Sequence, residues 1–272
     1  MADPNNPFSG LAGILAGLTP RTPTKWTKRY LQDIIDRGNK RIEVLQDRIS
    51  GVVTAGRVMP DLDQVTIGSG KRFVTLAVLF LDICGFSGRK NWTEEEQKSV
   101  LKVMNIFMAE MLNIVRDFGG TYEKNTGDGL MAYFGEGSST NADAVKPAVE
   151  AAVVMHYVND QLFTPWFQNA GIDPLRFRVG IDVGPVTIAR VGIRGAESSI
   201  VAIGTPANIA CKLMNQIPNG GICIGGEVHD GLPNNWGQAC RRCEESSGFV
   251  YVKTGVPYFG WELNFRLTPP VL

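Results

Sequence analysis

The chain has 272 residues, is 44% apolar and 20% charged, and carries no net charge at neutral pH. That composition fits a soluble globular protein, and the zero balance gives no electrostatic case for nucleic acid or a membrane as partner. No apolar run reaches the roughly 20 residues of a membrane span, the start Met1-Ala2-Asp3-Pro4 lacks a secretory n-region, and five cysteines fit a reducing, cytoplasmic setting.

Residues 1–70 read as an N-terminal helical extension and linker, and residues 71–272 as the main domain. Phe8, Leu11, Ile14, Leu15 and Leu18 can form one short amphipathic stretch. From Lys25 to Ile49, apolar residues at Leu31, Ile34, Ile35, Ile42 and Leu45 recur at three-, four- and seven-residue spacings, which predicts a helix. Gly51, Gly56, Pro60 and Gly68 mark the linker. Phe73 to Leu81 is an almost unbroken, β-branched-rich apolar run and reads as a buried strand. Thr93 followed by Glu94, Glu95 and Glu96 predicts a capped helix that ends at Gly119-Gly120. A hairpin turns at Gly127-Asp128-Gly129, and a second long helix covers about Ala142 to Phe163. Strands Phe177 to Val183 and Val186 to Val191 flank Gly184-Pro185. A helix from Pro206 to Asn215, a strand from Gly221 to Ile224 and a β pair around Val250 and Trp261 complete the order. The sum is an α+β, ferredoxin-like βαββαβ arrangement with additions.

Two aspartates carry the chemistry. Asp82 ends the apolar run in Leu81-Asp82-Ile83-Cys84-Gly85-Phe86-Ser87, and Asp128 lies in Lys124-Asn125-Thr126-Gly127-Asp128. Carboxylates meeting from adjacent strands suit hard divalent cations and chemistry on a nucleoside triphosphate. Either aspartate by itself reads as an ordinary turn residue.

With Arg178-Val179-Gly180-Ile181-x-x-Gly184 and Gly204-x-x-x-Asn208-x-Ala210-x-Lys212-Leu213, these motifs follow in order and spacing what is seen in class III nucleotidyl cyclase catalytic domains. Over about residues 72–265 the chain resembles that family. The resemblance implies that Asp82, Asp128 and the backbone carbonyl of Ile83 bind two Mn²⁺ or Mg²⁺ ions. It implies that backbone amides after the first strand (Cys84, Gly85, Phe86, Ser87), at a helix N-terminus, hold the terminal phosphates. Lys253 resembles the triphosphate-binding lysine, Asn208 would orient the ribose, and Lys212 stands where the family usually has arginine. The 3′-oxygen would attack the α-phosphorus in line, giving a 3′,5′-cyclic nucleotide and pyrophosphate. The family shares its sites between protomers, so a homodimer is implied and a monomer would be inactive.

Two departures matter. Lys212 keeps a charge but loses the planar guanidinium fork. Lys124 occupies the place of the base-reading lysine, a donor, while the partner position is Val201, which cannot accept a hydrogen bond. A base offering an acceptor, as uracil does at O4, suits such a pocket. Adenine or cytosine would leave an amino donor unpaired at about 1–3 kcal/mol. Phe73, at the entry to the first strand, can narrow the pocket for a pyrimidine. UTP and a cUMP product are therefore favoured over ATP. The absence of a sensory module resembles the compact bacterial pyrimidine cyclases that signal phage infection.

Other readings stand beside this one: an adenylate cyclase, a catalytically inactive cyclase-fold binding module, or another two-metal nucleotidyltransferase. The last would want a Gly-Gly-Asp/Glu signature at the hairpin. Cys240-Arg241-Arg242-Cys243 is a lone Cys-x-x-Cys; zinc would need two more ligands, with only His156 and His229 as histidine candidates.

Overall fold

A computed structural model describes residues 25–48, 70–89, 91–125, 127–192, 198–252 and 254–269. The stretch at 8–18, nearly all of the linker, Thr126 and Lys253 lie outside these residues. Among the described residues, eight strands form one sheet in the order β2-β3-β1-β4-β6-β8-β7, with β5 paired to β4. No described helix is long and apolar enough to cross a membrane.

Helix α1 (Lys28–Arg48) is the helix that the apolar stripe predicts. It packs on the body: Trp26 and Ile34 are buried in the same core as the sheet. Arg37 donates to Glu110 at 2.8 Å and to Asp117 at 3.0 Å on the next helix, and the indole of Trp26 donates to the carbonyl of Thr268 at 2.8 Å.

Strand β1 (Gly70–Ile83) is central, between β3 (Gly129–Phe134) and β4 (Phe177–Gly192). Its alternation explains the unbroken apolar run. Ala77, Leu79, Leu81 and Ile83 face the helical layer, while Leu76 and Val78 face a second cluster. The helical layer holds α2 (Glu94–Asp117) and α3 (Asn141–Val158). Thr93 opens α2 with a reciprocal capping box to Glu96 and three acids in the first turn. Strand β2 (Thr121–Asn125) completes the hairpin with β3.

Two expectations are corrected. Gly184-Pro185 does not separate two strands: β4 runs through it. The pairing of β1 to β4 steps from Phe73/Val186 to Leu76/Gly184, so Val74 and Thr75 bulge opposite Pro185. A proline lacks the N–H for a ladder bond, and a bulge is where a strand tolerates that. The second long helix is also not uniform. After α3 comes a π turn (Asn159–Phe163) and then α4 (Thr164–Asn169), with Asn159 Nδ2 donating to the carbonyl of Leu175.

Strand β5 (Ser198–Ile203) leads into α5 (Thr205–Leu213), which continues as a 3₁₀ turn (Met214–Gln216). Strand β6 (Gly221–Ile224), a short α6 (Gly226–Asp230), β7 (Cys240–Val250) and β8 (Pro257–Leu263) follow. Helix α5 covers the sheet face opposite the other helices: Ala207 and Ala210 join Leu76, Val78 and Val186.

One buried acid ties β4 to β8. Asp182 is 2% exposed and accepts from the Tyr258 hydroxyl at 2.7 Å. Burial pushes its carboxyl up to about 7. An acid whose folded pKa is raised contributes stability below its unfolded pKa that is lost as pH rises through the folded value. The wild type should therefore carry a destabilising contribution from this residue that grows between about pH 4 and 7 and is constant above. Asp182→Asn keeps an acceptor for Tyr258 and should remove that trend, gaining about 2–4 kcal/mol relative to wild type between pH 4 and pH 8. Urea unfolding of both proteins across this range reads the difference directly. Equal slopes for the two would contradict the assignment. Comparing the pair cancels His156, whose burial pushes it down to about 3 in both.

Candidate active site

The register of β1 sets Asp82 opposite Gly129 on β3 and opposite Arg178 on β4. Asp128 immediately precedes Gly129, in a turn where Gly127 has φ +90°, a left-handed value natural to glycine. Antiparallel pairing thus brings the end of β1 and the start of β3 to one edge of the sheet, and both aspartates are half-buried there.

Arg178 organises this edge. Its Nε and Nη2 donate to Oδ2 of Asp82 at 2.9 and 2.8 Å, which leaves Oδ1 outside that pairing. Its Nη1 donates to the carbonyl of Met214 at 3.4 Å, at the end of α5. The sequence showed Arg178 only as part of a glycine-rich motif; its pairing with Asp82 needs the strand register to be seen.

Two carboxylates and a backbone carbonyl are hard oxygen donors of the kind Mg²⁺ and Mn²⁺ take. Among the described residues no three His, Cys, Asp or Glu side chains converge into a metal cluster. Asp82, Asp128 and the Ile83 carbonyl are the groups here that could hold such a cation.

After Ile83, Gly85 adopts φ +66° and caps a 3₁₀ turn, Phe86–Gly88. The turn's own bonds use the amides of Gly88 and Arg89, and the first amides of such a turn point outward. Here the structure amends the expectation from sequence. The amide of Cys84 donates to the carbonyl of Arg176 at 2.8 Å and is engaged within the fold, which leaves the amides of Gly85, Phe86 and Ser87 as the candidates. They belong to a single 3₁₀ turn, and α2 begins later, at Glu94.

Asn208 and Lys212 are exposed on α5. The helix lies close on β4 because residue 180 is glycine: a Cβ there would stand 2.0 Å from the carbonyl oxygen of Ala210. Lys212 is not free in solvent. Its ammonium sits 4.7 Å from the ring centre of Phe249 on β7, a cation–π contact.

The base-reading positions are more dispersed. Lys124 lies in β2 opposite Met131, and Val201 lies in β5 opposite Ala189. Phe73, at the other end of β1 from Asp82, lines an apolar cavity of about 590 Å³ with Tyr122, Glu123, Tyr133, Ile188 and Ile200. Strands β2 and β5 both border this space. Val201, next to Ile200, is not among the lining residues, as strand alternation turns it to the other side.

Comparison with known proteins bears on the family and the fold. Residues 69–255 match the family model described as the adenylate and guanylate cyclase catalytic domain. The chain is 29% identical over 154 residues to a cytidylate cyclase of Staphylococcus aureus, covering 56% of this chain and 36% of that protein. It is 29% identical over 166 residues to a uridylate cyclase of a Rhodovulum species, covering 58% and 65%. A uridylate cyclase of Burkholderia cepacia is 31% identical over 160 residues, covering 58% and 67%. The chain thus spans about a third to two thirds of these relatives' lengths. Among solved structures, the adenylyl cyclase CyaB from P. aeruginosa superimposes with a TM-score of 0.59 at 24% identity, covering 75% of this chain and 100% of that one. The guanylate cyclase domain from Catenaria anguillulae gives 0.58 at 18% identity, covering 72% and 100%. At these identities the structural likeness speaks for the fold.

Proposed function

This chain belongs to the adenylate and guanylate cyclase catalytic-domain family, and on that premise we propose that it converts a pyrimidine nucleoside triphosphate, UTP in preference, into a 3′,5′-cyclic nucleotide and pyrophosphate. The observation that carries the reading is the meeting of Asp82 and Asp128 at one edge of the sheet, with Arg178 orienting the first. When bound there, two Mg²⁺ or Mn²⁺ ions would supply a lowered pKa at the ribose 3′-hydroxyl and charge neutralisation at the triphosphate. Asp82, Asp128 and the Ile83 carbonyl would hold them. The amides of Gly85, Phe86 and Ser87, with Lys253, would hold the terminal phosphates. Asn208 would fix the ribose, and Lys212 would face the charge that develops on the α-phosphorus.

Preference for uracil rests on the residue types at two positions on separate strands: Val201 on β5, which offers no acceptor to an exocyclic amino group, and Lys124 on β2, a donor. The similarity to proteins named uridylate and cytidylate cyclases supports a pyrimidine. We place the active form as a homodimer with shared sites. Val74, Tyr122, Val191 and Ile203 are large apolar residues left exposed on β1, β2, β4 and β5, and a second copy could cover such residues. By resemblance to the compact pyrimidine cyclases, the setting is cytoplasmic and the product a second messenger in anti-phage signalling.

A second reading has its own observation: the cation–π contact of Lys212 with Phe249 engages the charge that catalysis would need, as in an inactive nucleotide-binding module. Incubating the protein with Mn²⁺ and each of ATP, GTP, CTP and UTP separates the readings. The expected product is cyclic UMP. Cyclic AMP as the main product would keep the enzyme class and remove the Val201 assignment. No product from any triphosphate, with the dimer confirmed, would favour the inactive module.

A further inference from the structure

Away from the carboxylates, under the C-terminal end of α5, two cysteines distant in sequence meet. Cys223 is buried on β6, and Cys243 is half-buried on β7. Their sulfurs are 3.7 Å apart. Strands β6 and β7 are not neighbours; β8 lies between them. The thiols reach each other across Gly260, where a Cβ would stand 2.7 Å from the Cys223 sulfur and 2.2 Å from Oε1 of Gln216. The missing side chain leaves a small gap bounded by the Cys223 sulfur, the Gln216 amide oxygen and, at 2.8 Å, Cδ2 of Leu213.

The 3.7 Å between the sulfurs is well beyond the roughly 2.05 Å of a disulfide bond, and both cysteines are free. The spacing suits an ion. For a metal about 2.3 Å from each sulfur, the 3.7 Å separation subtends an angle of about 107°, close to tetrahedral. The Cys223 sulfur is 3.6 Å from Gln216 Oε1, and a tetrahedral ion with one sulfur and one oxygen ligand requires about 3.6 Å. Gln216 is held in that orientation because its Nε2 donates to the carbonyl of Glu245 at 2.8 Å.

We propose that Cys223, Cys243 and Gln216 form a binding site for one thiophilic divalent cation of the Zn²⁺ or Cd²⁺ class, separate from the carboxylate pair. The ion replaces two thiol protons, which pass to solvent, and two thiolates neutralise its charge. A neutral complex suits the apolar wall of Ile209, Leu213, Ile217 and Tyr258 that surrounds Cys223. An opening of about 360 Å³, lined by Gln216, Cys243, Glu244, Glu245 and Glu262 together with Arg241 and Arg242, meets the site on the Cys243 side and gives a path for the ion and for a water as fourth ligand; Arg241 is neutralised by Glu262 at 2.8 Å and Arg242 lies over the Phe259 ring. Cys240 takes no part: its thiol donates to the carbonyl of Trp236.

Cadmium titration of the reduced full chain, kept in a thiol-free phosphine reductant, tests this through the ultraviolet charge-transfer band of cadmium–thiolate bonds, which carboxylates do not produce. The expected result is saturation at one ion per chain, displacement by Zn²⁺, loss of the band in Cys243→Ser and its retention in Cys240→Ser. Gln216→Ala, which keeps both sulfurs, should weaken binding about tenfold or more and guards against misfolding of the serine variant. A band that survives Cys243→Ser at full stoichiometry, or no band in wild type with all thiols titratable, would overturn the site.

Discussion

Asp82→Asn is expected to fold as the wild type does and to form product at least about a thousandfold more slowly. Asparagine keeps the shape of the side chain and an oxygen to accept from Arg178, so the interactions at the end of β1 survive. What it loses is the negative charge that would hold a hard cation beside the triphosphate. A thousandfold corresponds to about 4 kcal/mol of transition-state stabilisation, within what a cation in direct contact with the reacting phosphate supplies. Asp128→Asn should fall by a similar factor, and the double variant should be little worse than either, because the two carboxylates act as one unit. Initial rates with the preferred triphosphate and a thermal melt of each variant provide the check. A variant that keeps a tenth of wild-type activity would remove Asp82 from the site.

The second large effect is expected at Gly180. Alanine there would put a methyl group 2.0 Å from the backbone oxygen of Ala210 and 2.9 Å from Cγ of Met214. A backbone oxygen cannot swing away as a flexible side chain can, so α5 must lift as a body. The loss should be about 2–3 kcal/mol, typical of overpacking a close contact. It should also reach activity, since α5 carries Asn208 and Lys212 and its end receives the Arg178 hydrogen bond. A fall in activity of about tenfold or more at a temperature where the variant is fully folded would separate displacement of the helix from simple unfolding. An unchanged melting temperature would show that the helix is not clamped at this point.

Much of the fold was legible because local chemistry and global packing agree. The Thr93–Glu96 capping box, the turn at Gly127 and the apolar run of β1 each announce their structure within a few residues. Strand β4 was misread at Pro185 because the compensation lies on another strand, in the bulge at Val74 and Thr75. The same holds for the site. Asp82 and Asp128 stand in recognisable motifs, whereas the pairing of Arg178 with Asp82 joins residues far apart in sequence. The cysteines repeat the lesson: Cys240-x-x-Cys243 catches the eye, but the partner of Cys243 is Cys223, reached over a glycine of an intervening strand.

The hydrogen bond from Trp26 to Thr268 joins two stretches that both fall outside the matched span of residues 69–255. Trp26 also stacks edge-on against Tyr157 at 4.5 Å, so this clasp is seated on the shared core rather than floating beside it. The two flanks are thus a matched set. A catalytic core cut back to the matched span would lose the tie between its two flanks and leave the seat of Trp26 beside Tyr157 uncovered.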